Sequence, residues 1–139
     1  MEKIQHQRVT TVGEFMTTSV IRVTSEMNIY QAIMFLVEHR ISGAPVTNPD
    51  DRHELVGIIS EKDCLLLLAN GAYYGVPSGK VSDYMSRNVL TVDPARDVFA
   101  VADILLKNNY RRLPVVEDGK LVGIVTRGDI LRAGKRLWD

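Results

Sequence analysis

One cysteine, three histidines, no surplus of charge and no long apolar run: each shortage in this 139-residue chain removes a class of protein. A single cysteine excludes an internal disulfide, the usual staple of small secreted domains, so the chain reads as cytosolic and therefore cytoplasmic. His6, His39 and His53, even with Cys64, have no metal-ligand spacing, and no metal site is expected. Lys plus Arg number 17 and Asp plus Glu 17, a zero balance that leaves no electrostatic footprint for nucleic acid or an anionic membrane. The longest apolar run, Cys64 to Ala69, is far short of the roughly 18 residues of a membrane span. The opening MEKIQHQRVT lacks the apolar stretch of a secretory signal. Catalytic signatures are missing too: there is no G-x-S-x-G elbow and no dinucleotide G-x-G-x-x-G. Gly79-Lys80-Val81-Ser82 lacks the upstream glycine of a Walker loop. The expectation is a protein that is not an enzyme, with no catalytic residues and no required cofactor.

What is present is a repeat. Residues 12–46 match 81–115 at an offset of 69: Val12 falls on Val81, Met16 on Met85, Val20 on Val89, Val23 on Val92, Leu36 on Leu105 and Pro45 on Pro114. The register then shifts to 66, so Leu55-Val56-Gly57-Ile58 fall on Leu121-Val122-Gly123-Ile124, and Asp63 on Asp129. The slip is a longer loop in the first copy. The division expected is an N-terminal extension (1–11), repeat one (12–69), a linker (70–80) and repeat two (81–139). The linker, NGAYYGVPSGK, is rich in glycine, and its Tyr73 and Tyr74 are expected to pack on the core.

Each copy predicts β-α-β-β-α. A short strand (20–23, 89–92) precedes a helix whose apolar residues keep helical spacing: Ile29, Ala32, Ile33, Leu36 and Val37, then Val98, Val101, Ala102, Leu105 and Leu106. Asp93-Pro94 reads as the start of the second of these helices. Hairpins follow (45–47 with 55–59, 113–116 with 120–125), the second turning at Asp118-Gly119. Closing helices span roughly 61–69 and 127–137. Cys64, at an apolar helix position matched by Ile130, reads as core. The fold class expected is α+β: two pseudo-symmetric βαββα repeats packed sheet to sheet, because one copy of about 55 residues buries too little surface alone. Both first helices carry further apolar residues, Tyr30, Met34 and Phe35 against Phe99, Ala100 and Ile104. That excess predicts a homodimer through the helices at 28–38 and 97–107.

Chemistry concentrates where each copy closes, at LVGIISEKDCL (55–65) and LVGIVTRGDIL (121–131). A glycine lets another group approach the backbone. A hydroxyl at a helix start sits where unpaired N–H groups favour an anion. An aspartate three residues on can accept two hydrogen bonds from a vicinal diol such as ribose. Ser60 with Asp63, and Thr126 with Asp129, equally fit a helix capping box, which alone would explain both pairs. The two readings are compatible, because a cap can also face a cleft.

The repeat, the GIISEKDCL and GIVTRGDIL junctions and the SGAPVT and RRLPVV strands together resemble a tandem pair of CBS (cystathionine-β-synthase) domains, a Bateman module, over about 12–68 and 81–137. The resemblance implies clefts between the repeats that bind AMP, ADP, ATP or S-adenosylmethionine, and regulation of an unidentified partner protein by a change of shape. It also implies flat dimers formed through helices. Some members bind nothing known, so a ligand-free interaction protein is the alternative. Carried over by position, it implies a ligand site of Thr91, Arg111, Arg112, Leu113, Pro114, Thr126, Arg127 and Asp129. A second, weaker site is implied at Arg22, Ser42, Gly43, Ala44, Pro45, Ser60 and Asp63. Arg22 stands where the pattern has the threonine matched by Thr91, a departure. Charge predicts that the sites are unequal: a phosphate prefers Arg111, Arg112 and Arg127 to Ser42, Gly43 and Glu61, with Lys62 and Arg22 in partial compensation.

Overall fold

The computed structural model describes residues 10–71, 75 and 77–139; the expectation for Tyr73 and Tyr74 lies outside these. Two compact units form, and they do not follow the repeat boundaries. One is Ile21–Val89; the other joins Leu90–Asp139 to the described residues up to Val20. Each unit is therefore completed by the opening stretch of the other repeat.

In the Ile21–Val89 unit, β1 (Val23–Thr24) pairs parallel with β2 (Gly43–Asn48), which pairs antiparallel with β3 (Asp51–Ser60). Between the first two strands runs α2 (Ile29–His39), following the short helix α1 (Val12–Phe15) of the other unit; α3 (Glu61–Ala69) continues directly from β3. Asn28 caps α2 by accepting the Tyr30 N–H at 2.8 Å, and Arg40 ends it at φ 55°. The core gathers Val23, Ile29, Ala32, Leu36, Ala44, Val46, Ile59 and Cys64. To these the opening of repeat two adds Val81 and Met85. A 3₁₀ turn at Val81–Asp83 holds them in place, with the Val81 N–H on the Met27 carbonyl at 2.9 Å. Ser86 and Ile58 then exchange backbone hydrogen bonds, both 2.9 Å.

The other unit repeats the arrangement with α4 (Val98–Lys107), β4 (Arg112–Glu117), β5 (Lys120–Thr126) and α5 (Arg127–Trp138). Here the opening of repeat one takes the completing role. Val12 is fully buried among Val98, Val101, Leu105, Leu113, Val115 and Val125, and its N–H donates to the Arg96 carbonyl at 2.9 Å. Thr17 and Ile124 exchange backbone hydrogen bonds of 2.8 and 2.9 Å. The Thr10 carbonyl accepts the Val98 N–H, so the last residues of the expected N-terminal extension are part of this unit.

Several expectations need correction. Helix α4 starts at Val98 with Asp97 as its cap, not at Asp93-Pro94. Asp93 instead closes a turn, its side chain accepting the Ala95 N–H and its carbonyl the Arg96 N–H. Asp97 lies one residue before the first buried position, which decides where the helix can begin. Val37 and Leu106 are 62% and 71% exposed. At 3.6 residues per turn, position i+8 lies about 80° round from position i, off the buried stripe. The strand at 20–23 shrinks to Val23–Thr24, and that at 89–92 to a single bridge, Val92 with Val115. The turn at Asp118-Gly119 forms as expected, with φ of 52° and 78°.

Candidate functional site

Each unit carries one strand-to-helix junction. Thr126 ends β5 and is the N-cap of α5, with extended backbone. Its N–H donates to Asp129 Oδ2 at 2.7 Å, and the Asp129 N–H returns to Thr126 Oγ1 at 3.2 Å. Ser60 does the same for α3: its N–H and hydroxyl both donate to Asp63 Oδ2 at 2.9 Å, and the Asp63 N–H returns to Oγ at 3.2 Å. Both capping boxes are therefore formed. Aspartate replaces the usual glutamate, and its shorter side chain keeps the carboxylate close against the helix start.

The strand that precedes each hairpin docks onto the same helix start. The Arg111 carbonyl accepts the Arg127 N–H at 3.2 Å, and the Ser42 carbonyl accepts the Glu61 N–H at 2.8 Å. Arg111 and Arg127 are thereby neighbours through the backbone, and Arg127 Nε donates to the Tyr110 carbonyl at 2.9 Å. Arg111 and Arg127 are exposed and Arg112 is half-buried. Thr91, also exposed, precedes Val92, whose N–H donates to the Pro114 carbonyl at 3.1 Å. Thr91, Arg111, Arg112, Pro114, Thr126, Arg127 and Asp129 thus belong to one unit and approach one end of its hairpin. Ser42, Gly43, Pro45, Ser60 and Asp63 hold the equivalent places in the other.

Not every residue of the two sets presents a side chain there. Leu113 and Ala44 point into the cores, so only their backbones remain for a ligand. A Cβ on Gly43 would lie 3.0 Å from the Ile59 carbonyl oxygen, which keeps β2 close to β3. Arg22 donates to the Arg52 carbonyl, and burial, then the Arg52 charge, lowers its pKa. That carbonyl belongs to β3. Cys64 is buried as expected; desolvation, reinforced by Asp63 and Glu61, pushes its thiol pKa up. His39 Nδ1 donates to the Phe35 carbonyl (2.9 Å) and its ring lies against the Phe35 ring, a helix-end role.

Two features escaped the sequence reading. The exchanged openings bring Thr17 beside β5, two residues before Thr126, and Ser86 beside β3, two residues before Ser60. Their equivalence is visible in the repeat at offset 69, but the unit each joins is not. The second is Arg132. It pairs with Asp129, one turn along α5, and the signal was a cation at i+3 from the motif acid. Among the described residues no group of three or more His, Cys, Asp or Glu is placed to hold a metal ion. No helix there is long and apolar enough to cross a membrane.

A family model described as the CBS domain matches residues 12–70 and 81–136. The chain is 38% identical over 159 residues to the CBS domain-containing protein CBSX1, chloroplastic, of Arabidopsis thaliana, covering 93% of this chain and 66% of that protein. It is 32% identical over 121 residues to the uncharacterized protein MJ1225 of Methanocaldococcus jannaschii, covering 87% of this chain and 41% of that one. The chain thus spans less than two thirds of the length of these relatives. Among solved structures, CBSX2 from Arabidopsis thaliana superposes with a TM-score of 0.82 at 34% identity, covering 94% of this chain and 98% of that one. CBSX2 has also been solved in complex with AMP (TM-score 0.79, 34% identity, coverage 93% and 98%). The CBS domain pair of protein MJ0100, in complex with 5-methylthioadenosine and S-adenosylmethionine, matches with a TM-score of 0.76 at 30% identity, covering 94% and 99%.

Proposed function

The chain belongs to the CBS-domain family, and from that premise we propose that it is a regulatory module that binds an adenosine-containing ligand and signals by a change of conformation. One observation carries the reading. A 2%-exposed carboxylate, Asp129, stands at a helix start beside a hydroxyl, with Arg111 and Arg127 joined through the backbone next to it. The acid suits a ribose diol, and the arginines with the α5 N-terminus suit a phosphate. Thr91, Arg112, Leu113 and Pro114 complete this site, the latter two through their backbones. The CBSX2–AMP and MJ0100–S-adenosylmethionine complexes support the ligand class, which extends to ADP and ATP.

The set around Ser60 and Asp63, with Arg22, Ser42, Gly43, Ala44 and Pro45, forms the second site. Glu61 at the helix start makes it the weaker one for phosphate. The module has no catalytic activity of its own and acts through a homodimer and a regulated partner protein. Exposed Tyr30 and Met34 on α2, and Phe99 and Leu106 on α4, support pairing through those helices. Sedimentation of Phe99→Asp against the wild type tests this, and an unchanged mass rejects it. The free thiol of Cys64 suits a reducing compartment, the cytoplasm.

Thermal unfolding with adenosine, AMP, ADP, ATP, S-adenosylmethionine and GMP, on the wild type and on Asp129→Asn, tests the ligand. A ligand at about 100 times its Kd adds ~2.7 kcal/mol, several degrees for a chain this size. Shifts by adenine compounds that fall in Asp129→Asn support the reading. No shift with any compound favours a ligand-free interaction protein.

A further inference from the structure

The two motif acids are not in the same state, although their capping boxes are alike. Among the described residues Asp63 uses only Oδ2, which takes both Ser60 donors. Asp129 uses both oxygens: Oδ2 takes the Thr126 N–H, and Oδ1 takes the guanidinium of Arg132. Asp129 is buried, whereas the Arg132 side chain is 61% exposed. The buried acid is thus closed from the solvent side by a guanidinium on a flexible stem. At the register of 66 the counterpart of Arg132 is Leu66, which carries no charge, so the first copy has no such closure.

We propose that Arg132 is a gate that makes the Thr126–Asp129 site select phosphorylated nucleosides over bare ones. The proposal rests on the adenosine-ligand reading. A ribose diol needs Asp129 Oδ1 and must displace the guanidinium to reach it. A neutral nucleoside then trades an ion pair on a buried carboxylate for two neutral hydroxyl donors, a net loss. A nucleotide brings its own anion. The freed guanidinium, one helical turn from the acid and on the solvent side, moves to the phosphate, so the charge it leaves is matched by the charge it finds. The exchange couples recognition of the sugar to recognition of the phosphate through one side chain. At the Asp63 site no described residue holds Oδ1 and no exchange is needed, so adenosine and AMP are discriminated less there.

The test is calorimetric titration with adenosine and with AMP in an Asp63→Asn background, which keeps the capping acceptor and reads the Asp129 site alone. Arg132→Gln and Arg132→Lys are compared with that parent. The AMP-over-adenosine preference falls about tenfold or more in Arg132→Gln, the size expected for one charged hydrogen-bond partner. Adenosine binds it at least as tightly as the parent, and Arg132→Lys restores part of the preference. Adenosine binding gained only in Arg132→Gln gives the same support. An unchanged preference, or equal loss of both ligands, overturns the gate and leaves the adenosine reading standing. Absence of binding by both ligands in every protein overturns both. If both variants fail to fold, Arg132 is a structural tie and the gate is rejected.

Discussion

A Cβ on Gly123 would lie 2.6 Å from the sulfur of Met16 and 3.0 Å from the Thr17 carbonyl oxygen. The glycine of the second junction exists in contact with the opening of the first repeat. Gly57 is its mirror, where a Cβ would meet the Met85 sulfur at 2.6 Å and the Ser86 carbonyl oxygen at 2.8 Å. A methionine tip can swing aside, but a carbonyl held in a strand bridge cannot. Gly57→Ala is therefore expected to cost about 1–3 kcal/mol and Gly123→Ala less. Urea unfolding of both variants checks the order; equal, negligible losses would mean that the segments slide freely.

Val12 and Val81 open the repeats yet are fully buried in the opposite units' cores. Val12→Ala and Val81→Ala should each cost about 2 kcal/mol, the value of two buried methyl groups with partial collapse of the space left. Hydrogen exchange locates the loss: Val12→Ala loosens the amides of α4 and α5, and Val81→Ala those of α2 and β3. Loosening confined to the variant's own repeat would contradict the exchange of segments.

Thr47 is fully buried and its hydroxyl has no hydrogen-bond partner among the described residues. Its counterpart in the second copy is Val116. Thr47→Val keeps the shape and removes the unsatisfied hydroxyl, so it should stabilise the protein by about 1–2 kcal/mol. A lower urea midpoint in the variant would show that the hydroxyl is satisfied in solution.

Burial, then the charges of Asp63 and Glu61, raises the Cys64 thiol pKa. The folded state holds this proton at a pH where an unfolded thiol, near 8.5, has lost it. Stability from this group is therefore complete below about pH 8.5 and is lost as pH climbs through the raised native value. Denaturation midpoints from pH 7 to 10 should fall less steeply in Cys64→Ala than in the wild type. Identical slopes would place the thiol in contact with water.

Much of this protein is legible from sequence alone. The repeat, the order of elements, the Asp118-Gly119 turn and the Ser60–Asp63 and Thr126–Asp129 caps all depend on residues close together in the chain. Local rules, the helical period, the φ a turn demands and the unpaired N–H groups of a helix start, are sufficient for them. Where a local signal stood away from the buried stripe, the sequence misled. Asp93-Pro94 reads as a helix start, but Asp97 is the cap, because the first buried position of the helix is Val98.

Tertiary structure alone decided which opening segment completes which unit. Val12 and Met16 present the same pattern as Val81 and Met85, so each could fill the other's place by shape and hydrophobicity. The choice comes from where the chain can reach and from partners far along it, such as the Arg96 and Pro94 carbonyls that hold α1. The different states of Asp63 and Asp129 are likewise invisible to motif matching. The motif is the same and the i+3 spacing sets Arg132 beside Asp129, but only the fold buries that acid, and a buried charge requires the partner its own helix supplies.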